Sequence, residues 1–343
     1  MIRRLVALVL ILALAAGLFV ALWPQALDLQ RQYPVTQLVS FRAIAGGVAL
    51  IAMVVVIVLG LVVRPLRSIT ASFAVLLLVF AAVSGGIQGA RGLGSTDFTT
   101  RTPTDVTVLS WNTLGGAPGP EAIAALALEV GADIVSLPET RQETGVAVAE
   151  AMRVGGRPMW VHTLAYDQVS SARSTTLLIS PNLGDYAVAL GDDGTTDKRT
   201  TAVLPSVVAT PVSGEGPTIV AAHPVAPVTD HMDTWRSGLD YLAGVCSSGN
   251  VIMAGDFNST LDHMAGLGKR GGALGVCRDA ATATANGAVG TWPTDLPPLL
   301  STPIDHVMAS RQWMPTGFRV VTDHDDAGSD HRPIVAQLSR TGA

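Results

Sequence analysis

Three uncharged apolar runs fall within the first ninety or so residues of the 343-residue chain, and they constrain its folding more than any other feature. They run from Leu5 to Trp23, from about Ala43 to Val63 and from about Ile69 to Ile87, and none contains an internal Asp, Glu, Lys or Arg. A helix of about 20 apolar residues crosses roughly 30 Å of hydrocarbon, so these runs read as three transmembrane helices. The third is the weakest, with Thr70, Ser72, Ser84 and a Gly85-Gly86 pair. Arg3 and Arg4 ahead of the first run would also suit a cleaved signal peptide. Its 19 apolar residues exceed an ordinary signal core, however, and two further runs follow, so it reads as a retained anchor.

Arginine placement sets an expected orientation. Arg3-Arg4 and the Arg64/Arg67 loop belong in the cytoplasm by the positive-inside rule. An odd number of spans then puts the N-terminus inside and the rest of the chain outside the cell membrane. Residues 1–101 carry eight Arg, no Lys and two acids, a net of +6, whereas residues 102–343 carry 14 basic and 25 acidic residues, a net of −11. Two parts with different solvents are therefore expected: a membrane module over 1–91 and, after a Gly/Ser/Thr/Pro-rich linker over 92–104, one large domain over 105–340. Cys246 and Cys277 both lie in the rear part, and the sequence leaves open a disulfide or two separate buried thiols.

The rear domain alternates strand and helix patterns. Strands are expected at 106–111, 133–137, 176–180, 201–209, 218–222, 250–254, 304–309 and 333–338, and helices at 120–130 and 231–245. Residues 281–301 read as an irregular surface loop. This alternation predicts an α/β sandwich with helices over the sheet faces.

Polar residues cluster at the strand ends: Asn112, Glu139, His223, Asp256 with Asn258, and Asp305. Asp330 and His331 stand just before the last strand. Strand ends gather at the rim of a sheet, so these groups can converge on one cleft. Four carboxylates in such a cleft are costly without a cation, and hard oxygen donors favour Mg²⁺ or Mn²⁺, with Ca²⁺ possible.

The segments carrying these residues are SWNT (110–113), LPET (137–140), AAHP (221–224), AGDFNST (254–260), PIDHVMAS (303–310) and GSDHRPI (328–334). In this order they resemble the endonuclease/exonuclease/phosphatase superfamily, over nearly the whole of 105–340. The resemblance implies a four-layer αββα sandwich preceded by the three transmembrane helices. It also implies metal-assisted, in-line attack of water on phosphorus. By the same resemblance Glu139 is the principal metal ligand, assisted by Asn112, and Asp330 lies near a second metal or the histidine. Asp256 orients or deprotonates the water, Asn258 holds the phosphate, and His331 is the catalytic imidazole buttressed by Asp305. His223 contacts phosphate or protonates the leaving oxygen.

Two departures stand out. Pro138 replaces the usual Gln before the glutamate, and Leu114 stands where abasic-site endonucleases carry an aspartate. His306 is assigned no role, and His231, His263 and His324 read as solvated or locally bonded. Asp323, Asp325 and Asp326 read as a solvated acidic run, and Lys198-Arg199 as a surface pair. The Gly266–Gly275 stretch lacks P-loop spacing and reads as a mobile loop, with Lys269 and Arg270 open as substrate contacts. A net of −11 with only two lysines disfavours nonspecific capture of nucleic acid. The expected partner is a phosphate ester, whether phospholipid headgroup, small phosphodiester or nucleic acid, with membrane lipid around the spans. A nuclease and a catalytically silent binding module are the alternatives.

Overall fold

The computed structural model describes residues 2–167, 169–189 and 199–341, and its contacts divide the chain between Arg91 and Gly92. The first unit holds α1 (Ile2–Leu22), the short α2 (Val35–Ser40), α3 (Arg42–Val62) and α4 (Arg67–Arg91). α1, α3 and the helical stretch Arg64–Arg91 are each long and apolar enough to cross a membrane. α3 and α4 pack along one another, and α1 also packs on α4. Gly60 lets α3 approach the start of α4 closely, since a Cβ there would stand 2.2 Å from Thr70 Oγ1. Ala49, Leu77, Phe80 and Ala81 are buried between these helices.

In the second unit, two six-stranded mixed sheets lie face to face. The first runs β11-β12-β1-β2-β4-β3 and the second β5-β6-β7-β8-β10-β9. Their strands are β1 (Val106–Ser110), β2 (Ile134–Pro138), β3 (Trp160–Ala165), β4 (Ser174–Ile179), β5 (Tyr186–Val188) and β6 (Val207–Pro211). The rest are β7 (Thr218–Ala222), β8 (Val251–Asp256), β9 (Arg278–Asp279), β10 (Asp305–Ala309), β11 (Trp313–Val320) and β12 (Ile334–Arg340). Helices α5 (Pro120–Glu129) and α6 (Gln142–Val154) cover the first sheet, packing with Leu109, Val135 and Leu178. Helix α7 (Met232–Val245) covers the second through Leu242 and Cys246 against Val220 and Met253. Short turns α8 (Leu261–Met264) and α9 (Ala280–Ala283) complete the helices. Val108, Ile134, Leu177, Val207, Ile252 and Val307 fill the space between the sheets, and each such fully buried side chain contributes about 1.5–3 kcal/mol. The result is the expected helix–sheet–sheet–helix sandwich.

Strand direction decides where the polar ends go. β1 and β2 pair in parallel, as do β7 and β8. β12 runs antiparallel to β1, and β10 antiparallel to β8. The C-terminal ends of β1, β2, β7 and β8 therefore share one edge with the N-terminal ends of β10 and β12.

Several local expectations are corrected. Residues 201–206 are not strand: Thr200 and Ser206 exchange bonds (Thr200 Oγ1 to Ser206 O, 2.8 Å; Ser206 N to Thr200 Oγ1, 3.0 Å), closing a loop before β6. Residues 281–301 are irregular after α9 but not a surface loop, for Ala288 and Thr291 are buried. Residues 92–95 are not a free linker, since they are hydrogen-bonded onto the segment around Ala285–Ala288. The Gly266–Gly275 loop is stitched by Lys269 N to Gly275 O (2.7 Å) and Val276 N to Cys246 O (2.7 Å). Cys246 and Cys277 form a disulfide beside it, with Cα atoms 6.0 Å apart.

Candidate active site

Each candidate residue leaves its strand in a backbone conformation that the sequence makes possible. Glu139 (φ +56), Asn258 (φ +46) and Leu114 (φ +46) adopt left-handed geometry, which costs a non-glycine residue energy that the surrounding packing must supply. Gly255, inside β8, permits the close approach of β7. A Cβ there would stand 2.0 Å from the Ala222 carbonyl oxygen of the parallel partner β7, so no larger residue fits.

The converging side chains form one network. Asn112 Nδ2 donates to Glu139 Oε1 (3.2 Å) and to Asp256 Oδ2 (3.1 Å), joining the two sheets. Asp256 Oδ1 accepts the Asn258 backbone N–H (2.7 Å), and Asn258 Nδ2 donates to Asp256 Oδ2 (3.2 Å) and Pro224 O (3.0 Å). His331 Nδ1 bonds Asp305 Oδ2 at 2.8 Å, while its Nε2 stands 3.8 Å from Asp256 Oδ2. His223 Nδ1 faces the Thr175 hydroxyl (3.3 Å), and its Nε2 lies 3.9 Å from Glu139 Oε1. Asp330 accepts from the Trp292 indole N–H (2.9 Å). All eight sequence-derived residues are thus brought to the one edge.

Their electrostatics follow from burial and mutual charge. Burial raises the Glu139 carboxyl above its ordinary value, against the bond from Asn112. Burial also raises Asp256, which the nearby Asp305 charge reinforces against the pull of His331, to about 7. For His331, burial would favour the neutral ring, but the Asp305 and Asp256 carboxylates overcome it and raise the pKa to about 10. Burial and the His331 charge push His223 down to about 3, so His223 is neutral near pH 7.

The donor set fits a hard divalent cation. Burial raises the Glu139 and Asp256 carboxyls despite the pull of the His331 charge, and the ligand-type atoms gathered here are carboxylate and amide oxygens and imidazole nitrogens. Asp256, Asp305 and His331 bring ligand-type atoms within 4.8 Å of one another. Asp305 Oδ1 and His223 Nε2 are buried without a hydrogen-bond partner, so the pocket retains unspent polar capacity. Asn112 offers its NH₂ to the carboxylates, and its Oδ1 accepts the Leu114 N–H (3.1 Å).

A supporting layer was not read from the sequence. Trp111 Nε1 donates to His331 O (2.9 Å), and Ser329 Oγ to Asn112 O (2.6 Å), tying the last motif to the first. Trp235 Nε1 donates to Asn258 O (3.1 Å) and to Ser259 Oγ (2.9 Å). His306 Nε2 bonds Ser259 O (2.9 Å), and its Nδ1 bonds Asp279 Oδ1 (2.9 Å), so this histidine braces the turn bearing Asn258. Trp111, Ser329 and His306 sit inside the motifs, which was the available signal. Thr175, Trp235 and Trp292 carry none.

Other expectations are corrected. Asp325 is no solvated acid: both its oxygens bond the buried Arg332 guanidinium (2.8 and 2.7 Å). Arg270 accepts from Arg311, which follows the C-terminal end of β10, so the Lys269–Arg270 loop stands at the edge opposite Asp305. Lys198 lies outside the described residues, and Arg199 is exposed.

A two-sheet αββα sandwich with carboxylates, an amide and a histidine–aspartate pair gathered at one sheet edge defines a phosphoesterase-type domain. The Endonuclease/Exonuclease/phosphatase family matches residues 109–331, and the chain belongs to that family. Solved structures agree in fold. An endonuclease/exonuclease/phosphatase from Beutenbergia cavernae is similar with TM-score 0.54 at 18% identity, over 70% of this chain and 72% of that one. A family protein from Leptotrichia buccalis gives TM-score 0.52 at 12% identity, over 68% and 99%. D. rerio TDP2 complexed with single strand DNA product gives 0.50 at 16% identity, over 69% and 99%. No curated protein matches the chain.

Proposed function

We propose that this chain is a membrane-anchored, divalent-metal-dependent phosphoester hydrolase, with a phosphodiester the preferred substrate and the catalytic unit outside the cytoplasm. The observation that carries the reading is the meeting of Glu139, Asp256 and the Asp305–His331 pair at one edge of the sandwich, linked through Asn112.

Glu139 is the principal ligand for Mg²⁺ or Mn²⁺, with Asp330 nearby and Asn112 joining through its amide oxygen if the side chain turns. When bound, the cation supplies positive charge for the phosphoryl oxygens and relieves the crowded carboxylates. Asp256, poised near neutrality and gripped by Asn112 and Asn258, orients the attacking water and takes its proton. Asn258 is fixed beside it to hold a phosphoryl oxygen through its amide. His331 is kept cationic by Asp305 and meets the charge developing on phosphate. His223 is neutral, so its role is to donate a hydrogen bond from Nε2 to the phosphate rather than to supply a proton to the leaving oxygen.

Three apolar helices ahead of the domain support anchoring, and the disulfide supports an oxidising compartment. A second reading, a nuclease outside the cytoplasm, draws on the fold shared with D. rerio TDP2. The net of −11 over 102–343 weighs against it. A silent binding module is disfavoured because Glu139, Asp256, Asp305, Asp330 and the final histidine, His331, are all retained.

Hydrolysis of bis-p-nitrophenyl phosphate by the detergent-solubilised full chain tests the reading. Turnover is expected with Mg²⁺ or Mn²⁺, none with EDTA, and about 10²–10⁴-fold less in Asp256→Ala. Equal inertness of wild type and variant across metals and ester substrates would sink it.

A further inference from the structure

Asn258 stands two residues past Asp256 in a left-handed conformation, φ +46. Asparagine tolerates that region better than most residues, yet the conformation still has to be held by its surroundings. On the cleft side Asn258 reaches Pro224 O and both oxygens of Asp256. Behind it, two successive carbonyls of the turn are captured by two different elements. Asn258 O accepts the indole N–H of Trp235 from α7 (3.1 Å), and Ser259 O accepts from His306 Nε2 of β10 (2.9 Å). The same indole N–H also reaches Ser259 Oγ (2.9 Å). Trp235 and Ser259 are fully buried and His306 nearly so, so neither donor can meet a substrate directly.

The hydrogen-bond partners define the state of the His306 ring. A carbonyl oxygen can only accept, so Nε2 carries a hydrogen. At the other end Nδ1 faces Asp279 Oδ1 (2.9 Å), while Asp279 Oδ2 accepts the Thr282 N–H (2.7 Å). A carboxylate accepting through both oxygens takes a hydrogen from Nδ1 as well, which makes the ring an imidazolium. A charged donor holds its acceptor more tightly than a neutral one. A buried ion pair adds little stability over apolar side chains of the same volume, so packing alone does not account for it. What the pair does supply is a fixed position for Ser259 O.

We infer that His306 and Trp235 are positioning residues for phosphoester hydrolysis, acting through the Ser259 and Asn258 carbonyls to keep the Asn258 amide in register with Asp256. This rests on the phosphoester reading above and adds two residues that work from behind the cleft. A catalytic group displaced by about 1 Å can cost about 10²-fold in rate, so a turn freed of one grip has a measurable effect.

A double-mutant cycle on the detergent-solubilised full chain tests it, with bis-p-nitrophenyl phosphate as substrate and Mg²⁺ or Mn²⁺ present. Trp235→Phe keeps a ring and removes one donor. His306→Met made together with Asp279→Leu removes the other and leaves no lone buried charge. Each change should lower kcat about 10–10²-fold and alter KM less, with the unfolding midpoint showing that the protein is folded. In an Asn258→Ala background, where no amide remains to be positioned, the same changes should lower kcat by less than about twofold. Equal losses in both backgrounds, or folded variants with undiminished kcat, overturn the inference and leave the phosphoester reading standing. Should the paired replacement not fold, Trp235→Phe decides by the same criterion. Long-range ¹H–¹⁵N spectra of histidine-labelled wild type should show hydrogen on both nitrogens of His306, and a bare Nε2 overturns the inference as well. Wild type inert on every ester and metal overturns both readings.

Discussion

His331 shows how a single pair sets the chemistry of a cleft. Its ring is buried, which by itself would keep it neutral, yet Asp305 at 2.8 Å and Asp256 at 3.8 Å hold it charged. Replacing Asp305 with Asn keeps the shape and removes the charge. The His331 pKa should then fall from about 10, and the imidazolium should be lost at lower pH. The alkaline limb of kcat/KM against pH should therefore move to lower pH, with kcat reduced about 10²–10⁴-fold. An unmoved alkaline limb in Asp305→Asn would separate His331 from the reaction. These residues were legible because each sits beside a strand end within a short recurring motif. Thr175, Trp235 and Trp292 were not, because a hydroxyl or indole has no such signature. Their value comes from partners far along the chain, as in Trp292 with Asp330, 38 residues apart.

At the scale of elements, the strands with continuous apolar runs were read correctly, and those that break the pattern were not. β11 contains Pro315 and Gly317 and carries a register shift between them; Gly317 makes room for Phe98, whose ring a Cβ would meet at 2.2 Å. β3 is an edge strand with only partial burial, so its apolar signal is weak. α6 is rich in small and polar residues, with Gly145 pressed toward Thr176, and its buried face rests on only Val148, Ala149 and Met152 beside that glycine. The buried His306–Asp279 pair locks β9 and β10 together and caps α9 through Asp279 Oδ2 and Thr282 N (2.7 Å). Burial opposes both charges, but the pairing outweighs it, so Asp279 lies below its usual 3.8 and His306 above its usual 6.5. The Asp279 contribution is present above 3.8 and lost as pH falls through its lowered value. The His306 contribution is complete below 6.5 and fades as pH rises through its raised value. The pair therefore stabilises most between about pH 4 and 6.5. Asp279→Leu should cost about 3–5 kcal/mol in that window, since it leaves a buried imidazolium alone. Its deficit should shrink at higher pH, where the unpaired ring is neutral at little cost. Urea unfolding of the full chain followed by tryptophan fluorescence at pH 5.5 and 8.5 checks this; an equal deficit at both would remove the charge from the account.

For the whole molecule, the division between greasy front and acidic rear was plain in the sequence, but the nature of the junction was not. Residues 92–104 have the composition of a linker, yet Gly92, Gly94 and Ser95 spend it on backbone bonds to a segment nearly two hundred positions away. Composition reports what a stretch can do, and only tertiary partners decide whether it stays free. The disulfide belongs to the same scale, because whether it forms in the cell tests the compartment in which the domain folds. Cys246 ends α7, Cys277 precedes β9, and the bond closes a loop of 31 residues, worth about 3–4 kcal/mol in the unfolded-chain account. If the arginine pattern places this domain outside the cytoplasm, protein taken from intact cells under acid quench should resist alkylation until reduced. A reporter fused after the last residue should then be active only on the outer side. Cys246→Ser should lower the midpoint of unfolding to the same extent as the Cys246→Ser/Cys277→Ser pair, because either change removes the one cross-link. Free thiols at both positions together with a cytoplasmically active reporter would reverse the orientation, and with it the side of the membrane on which any substrate must lie.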